Sequence, residues 1–101
     1  MELKQTKDAI LVIKTKYIAG TYDRGAKIKA TVVVGNHQAE KKYTMVEFDH
    51  SLTNENRHKR AVIKLLHKLV ENYAIKESLI QEAEVVVIHE KDAKTFSFFL
   101  Q

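Results

Sequence analysis

The sequence predicts an α+β fold, an antiparallel sheet with one main amphipathic helix packed on one face. Three observations carry this. The first half alternates apolar and polar residues with period 2, the stretch from Asp49 to Ile75 switches to period 3.6, and two short β-branched and aromatic runs close the chain. The predicted order is β-β-β-α-β-β, for which a two-layer sandwich is the economical packing.

Composition sets the frame. The chain has 101 residues, 45% apolar and 30% charged, a size and mixture suited to a single α+β domain over residues 1–101. This apolar content argues against intrinsic disorder, and no apolar run approaches the ~20 residues of a membrane span. Cysteine and proline are both absent. Disulfides, thiolate zinc sites and cysteine nucleophiles are therefore excluded. The opening Met-Glu-Leu-Lys lacks the apolar core of a signal peptide, so the expected setting is cytoplasmic, or a host cytoplasm for a phage-encoded chain.

The first strand is expected over Ala9–Ile18, with Leu11, Ile13, Thr15 and Tyr17 on one face and Lys14 and Lys16 on the other. After a loop from Ala19 to Gly25, Ala26–Val34 turns Ile28, Ala30, Val32 and Val34 one way and Lys27, Lys29, Thr31 and Val33 the other. Gly35-Asn36 suits a hairpin turn, since both residues tolerate positive φ. A third strand follows over Lys42–Phe48, with Thr44, Val46 and Phe48 inward. The helix then shows one apolar stripe of Val62, Leu65, Leu66, Leu69 and Tyr73. Thr53 or Asn54 can cap it, and Glu55 lies in the first turn, where the helix dipole favours an anion. Its end near Ile75 lacks a glycine signal, and Ser78–Gln81 suits an extra turn. Glu84–His89 and Thr95–Leu100 form the last hairpin, joined through Glu90-Lys91-Asp92-Ala93.

Charge is distributed unevenly. The formal net charge is +4, and residues 1–48 carry all of that excess, with 9 Lys/Arg against 5 Asp/Glu. If the apolar faces of the first two strands meet the helix, Lys14, Lys16, Lys27 and Lys29 share the opposite face, and Arg24 in the loop extends the patch. Like charges on neighbouring strands cost stability, so an anionic partner would relieve them, and a nucleic-acid backbone is the commonest one. Tyr17 is the candidate aromatic beside these lysines, with Tyr22 and Tyr43 nearby in sequence; an exposed ring there could stack on an unpaired base. The alternative is that the lysines solubilise the open face and blunt an edge. A second basic stripe, Arg57, Arg60, Lys64 and Lys68, runs along the helix away from its apolar side and suits a solvated outer face.

Other chemistry finds little support. The five histidines, His37, His50, His58, His67 and His89, show no zinc-site spacing, and His58 reads as a half-buried packing residue. No GxSxG, GxGxxG or P-loop occurs. No enzyme, metal or cofactor is expected; an enzyme would need at least two of Asp49, His50, His89 and Glu90 to converge. Val85–Ile88 and Phe96, Phe98, Phe99 and Leu100 are apolar on both strand faces. A homodimer or a host protein would cover the side that the helix does not; the alternative is that the N-terminal segment or a loop folds over it.

Three motifs carry a resemblance: Thr15-Lys16-Tyr17-Ile18, Thr21-x-x-Arg24-Gly25-x-x-Ile28-Lys29-Ala30, and Asp49-His50-Ser51-Leu52 before Asn54-Glu55-Asn56-x-His58. From about residue 13 onward the chain resembles small, largely uncharacterised proteins of bacteriophages and mobile elements that share a T-x-x-RG-x-x-IKA strand motif. It departs from them in lacking a glycine-rich turn before the last strand and in a longer charged stretch around Glu40–Lys42. The resemblance implies an accessory role, binding nucleic acid or disabling a host factor. The expectation is a small basic protein that binds DNA or RNA with little sequence preference through Lys14, Lys16, Tyr17, Arg24, Lys27 and Lys29. The rival is a protein-interaction module that inhibits a host enzyme or defence complex through the apolar C-terminal strands.

Overall fold

The structure is a computed structural model that describes residues 9–22 and 24–99. Five strands, β1 (Leu11–Ile18), β2 (Lys27–Val34), β3 (Tyr43–Glu47), β4 (Glu84–His89) and β5 (Ala93–Phe99), form one antiparallel sheet in the order β3-β2-β1-β5-β4. The main helix α1 (Asn54–Glu71) lies on one face, and a short helix α2 (Glu77–Glu82) leads into β4. This is the predicted α+β architecture. The expected last residue of β5, Leu100, lies outside the described residues.

Alternation decides which face each strand buries. Leu11, Ile13 and Thr15 of β1, Ile28, Ala30 and Val32 of β2, Val46 of β3, and Phe96 and Phe98 of β5 all turn toward α1. The helix answers with Ala61, Val62, Leu65 and Leu69. It packs chiefly over β2, β3 and β1, so the β5–β4 half of that face is left partly bare. A groove of about 390 Å³ remains there, lined by Val62, Ile63, Leu66, Val85, Phe96 and Phe98 among others.

Two connections differ from expectation. Gly35-Asn36 does not make a two-residue hairpin. The Asn36 side chain instead accepts from the N–H groups of Gln38 (2.9 Å) and Ala39 (2.8 Å) and donates to the Ala74 carbonyl (2.6 Å), organising a longer turn whose positive φ falls at Lys41. Gly35 serves by its small size, since a Cβ there would stand 3.0 Å from Val32 Cγ1 and 3.3 Å from Ala39 Cβ. A register shift at the start of β1 accompanies this. Val12 opposes Val34 while Ile13 opposes Val32, so Val33 bulges outward.

The second difference is Tyr73, expected on the apolar stripe of the helix. It stands past the helix end at φ 58°, 89% exposed. Its N–H bonds to the Val70 carbonyl and that of Ala74 to the Leu69 carbonyl, the paired bonds of a Schellman ending. Ala74, rather than Tyr73, is buried at this point.

Candidate nucleic-acid interface

The face of the sheet opposite α1 is built from the residues that alternate with the core. Cross-strand pairs share a face, so the register orders them into rows. Thr95, Lys14, Thr31 and Tyr43 form one row across β5, β1, β2 and β3. Ala93, Lys16, Lys29 and Met45 form the next, and Ile18, Lys27 and Glu47 the third. Lys14, Lys16, Lys27 and Lys29 therefore share this open face, with Lys16 directly opposite Lys29. Residues two apart along a strand are separated by ~6.6 Å and neighbouring strands by ~4.8 Å, so the four lysine side chains rise from a small area of sheet. Lys14 and Lys16 are exposed, and Lys27 and Lys29 are half-exposed. Glu47 faces Lys27 across the β2–β3 pair, yet none of the four lysines makes an ion pair among the described residues.

Arg24 is brought to the end of this face by a tight turn in which the backbones of Thr21 and Arg24 bond reciprocally (2.7 and 3.3 Å). Gly20 permits it, because a Cβ there would lie 3.0 Å from both the Ala26 nitrogen and the Arg24 carbonyl. The turn closes a depression of about 150 Å³ with Ile18 and Met45 among its apolar residues and Thr21, Arg24 and Lys27 among its polar ones. Two cations beside a small concavity suit one phosphate group, with apolar surface below it.

Tyr17 does not join this group. It follows Thr15 onto the helix face, where it is half-buried and meets Phe48 edge-on at 5.6 Å. Phe48 in turn carries Arg57 over its ring at 4.0 Å and His50 at 4.8 Å. Sequence proximity sets Tyr17 beside the lysines, but strand alternation separates it from them. Tyr43 is the aromatic residue beside the lysines on the open face: 47% exposed, with Lys29 Nζ 4.6 Å above its ring and Lys68 Nζ at 5.6 Å. Its outward direction follows from the alternation of β3, whereas its place beside the lysines follows only from the β2–β3 register.

The helix stripe is largely engaged inside the molecule. Arg57 donates to the Asp49 carbonyl (2.8 Å), Arg60 pairs with the Asp49 carboxylate (3.3 Å), and Lys68 donates to the Tyr43 carbonyl (2.9 Å). Asp49 also accepts from the Ser51 hydroxyl and N–H, and these bonds, reinforced by Arg60 and Arg57, hold its carboxyl below the usual carboxylate range. Lys64 alone of the four stripe residues has no such partner among the described residues.

The histidines and nearby acids are likewise held separately. His58, expected to be half-buried, is 1% exposed, and its Nδ1 lies 2.6 Å from Thr15 Oγ1. The Thr15 hydroxyl also donates to the Lys94 carbonyl (3.3 Å), and the buried Lys94 ammonium donates to His89 Nδ1 (2.7 Å). Asp49 and His89 thus serve different neighbours, and no cluster of three metal-ligating side chains occurs among the described residues. No helix among them is long and apolar enough to cross a membrane. No family model matches this chain, and neither a curated protein nor a solved structure does.

Proposed function

We propose that the protein binds nucleic acid through the open sheet face, with Lys14, Lys16, Lys27, Lys29 and Arg24 on backbone phosphates and Tyr43 available to an unpaired base. The observation that carries this reading is the directly opposed Lys16–Lys29 pair within a group of four lysines that lack ion-pair partners among the described residues. The helix cations, by contrast, are mostly spent on carbonyls and on Asp49. Lysines act as point charges without the planar fork that reads guanine, so contact is to backbone and sequence preference is weak. The depression beside Arg24 and Lys27 would take one phosphate, while the Tyr43 ring favours single strands, where a base can leave its stack. Such a protein fits the accessory role implied by its resemblance to phage and mobile-element proteins.

The test is fluorescence anisotropy with labelled single-stranded DNA, duplex DNA and RNA across a salt series. Five neutralised phosphates predict a log–log salt slope of about −4.5 on duplex and about −3.5 on single strands. Lys27→Glu with Lys29→Glu should abolish binding, and Tyr43→Ala should weaken single-strand binding selectively. Absence of binding at low salt, or a double variant that binds like the parent chain, would overturn the proposal.

A further inference from the structure

At the other end of the sheet, β4 is an edge strand whose outer backbone donors and acceptors face away from β5. Its sequence, Glu-Val-Val-Val-Ile-His, leaves Val85, Val86 and Ile88 between 43% and 56% exposed. Protein edges are ordinarily blunted by lysine, proline or a bulge, and β4 has none of these: its register with β5 runs from Glu84 to His89 without a shift. The opposite edge is treated differently, since Lys68 reaches from α1 to the carbonyl of Tyr43 on β3. Among the described residues, one edge is guarded and the other is open.

We infer that β4 pairs antiparallel with β4 of a second copy of this chain, joining two sheets into one of ten strands. A two-fold axis perpendicular to the sheet pairs residues of like face, which restricts the register. Centred on Val86, it sets Val86 against Val86 of the second copy and Val85 against Val87, with every strand residue from Glu84 to Ile88 engaged. Centred on Val87, it would oppose Glu84 and Glu90, a like-charge pair that costs stability. The Val86 register also carries the apolar floor of the groove, Phe98 and Val85, directly onto Val87 and Phe96 of the second copy.

Charge permits the same occupant. Residues 83–101 hold 2 basic and 3 acidic side chains, so the β4–β5 half lacks the positive field that would draw an anion. The lysine faces of the two copies would be kept apart by β5 and β4 of each. From β1 to β1 that is five strand spacings, ~24 Å, well beyond the ~8 Å Debye length at physiological salt. Self-association at this edge therefore meets little repulsion despite a net charge of +4.

The chain contains no cysteine, which permits a register-specific test without nucleic acid present. Light scattering coupled to size exclusion should give twice the 11.6 kDa chain mass at micromolar concentration. Val86→Cys should oxidise to a disulfide-linked dimer, because opposed Cβ atoms in an antiparallel pair lie ~4.5–5.5 Å apart, close to disulfide range, whereas Val85→Cys should not. Val86→Arg changes a side chain on the open face, outside the helix-facing core, and should give a monomer with unchanged circular dichroism. A monomeric parent chain would overturn the inference, as would a dimer that survives Val86→Arg or cross-links through Val85. An edge that captures a strand of another protein but never its own would overturn it too.

Discussion

His58 shows how a single buried polar residue is accommodated between the helix and the sheet. It lies on the apolar side of α1 and would carry an unsatisfied nitrogen into the core without the Thr15 hydroxyl 2.6 Å away. Thr15→Val removes that partner while keeping shape, so it should cost about 1–3 kcal/mol in chemical denaturation. Burial lowers the His58 pKa from its ordinary value of 6.5, with Lys94 and Arg57 adding to the effect and Asp92 opposing it. The unfolded chain therefore binds a proton that the native protein resists. This contribution to stability is complete above pH ~6.5 and is lost as the pH falls below that value toward the depressed native pKa. Urea titrations from pH 8 to pH 5 should show the decline, and His58→Gln should flatten it. Loss of stability on raising the pH through this window would contradict the assignment. His58 was legible as a packing residue because it stands one turn before Val62. Its partner was not, since Thr15 and His58 meet only when β1 and α1 pack.

At the scale of elements, local chemistry explains where α1 begins and a backbone exception explains where it ends. Thr53 caps the start, its hydroxyl accepting from the Asn56 N–H at 3.2 Å, and Glu55 follows in the first turn. The end uses a Schellman ending with Tyr73 in the left-handed region, a conformation costing an L-residue roughly 1–2 kcal/mol relative to glycine. Tyr73→Gly should therefore stabilise the protein, by about 0.5–1 kcal/mol after the greater freedom of unfolded glycine is set against it. In a chain of this size that is a rise of a few degrees in Tm, readable by calorimetry. No sequence pattern announced this ending, because the tyrosine continued the apolar spacing of Val62, Leu65 and Leu69. The strands were readable for the opposite reason. Lys14, Lys16, Lys27 and Lys29 interrupt apolar residues with period 2, so the lysines themselves mark the outward face. The place of β5 beside β1 is a long-range choice that no local pattern encodes.

Across the whole molecule, one helix covers about half of one sheet face, and the two features it leaves uncovered lie apart. The lysines occupy β1 and β2 on the open face, while the apolar edge belongs to β4. The lysine group has a cost in the isolated protein, because Lys16 and Lys29 are opposed with no carboxylate bonded to either among the described residues. Opposed like charges on neighbouring strands destabilise by roughly 0.2–1 kcal/mol, and salt screens them. Lys16→Thr removes the repulsion, leaves the Lys29–Tyr43 contact in place and supplies a β-branched side chain suited to a strand, so it should raise Tm at low salt and lose that advantage as salt increases. The same substitution should weaken nucleic-acid binding and reduce the salt slope by roughly one unit. Thermal melts and anisotropy on one pair of proteins then separate the two roles of these lysines. A gain in stability accompanied by a loss of binding means that the face retains its repulsion for an anionic partner. A gain in stability with binding unchanged would leave the lysines as a solvating surface alone.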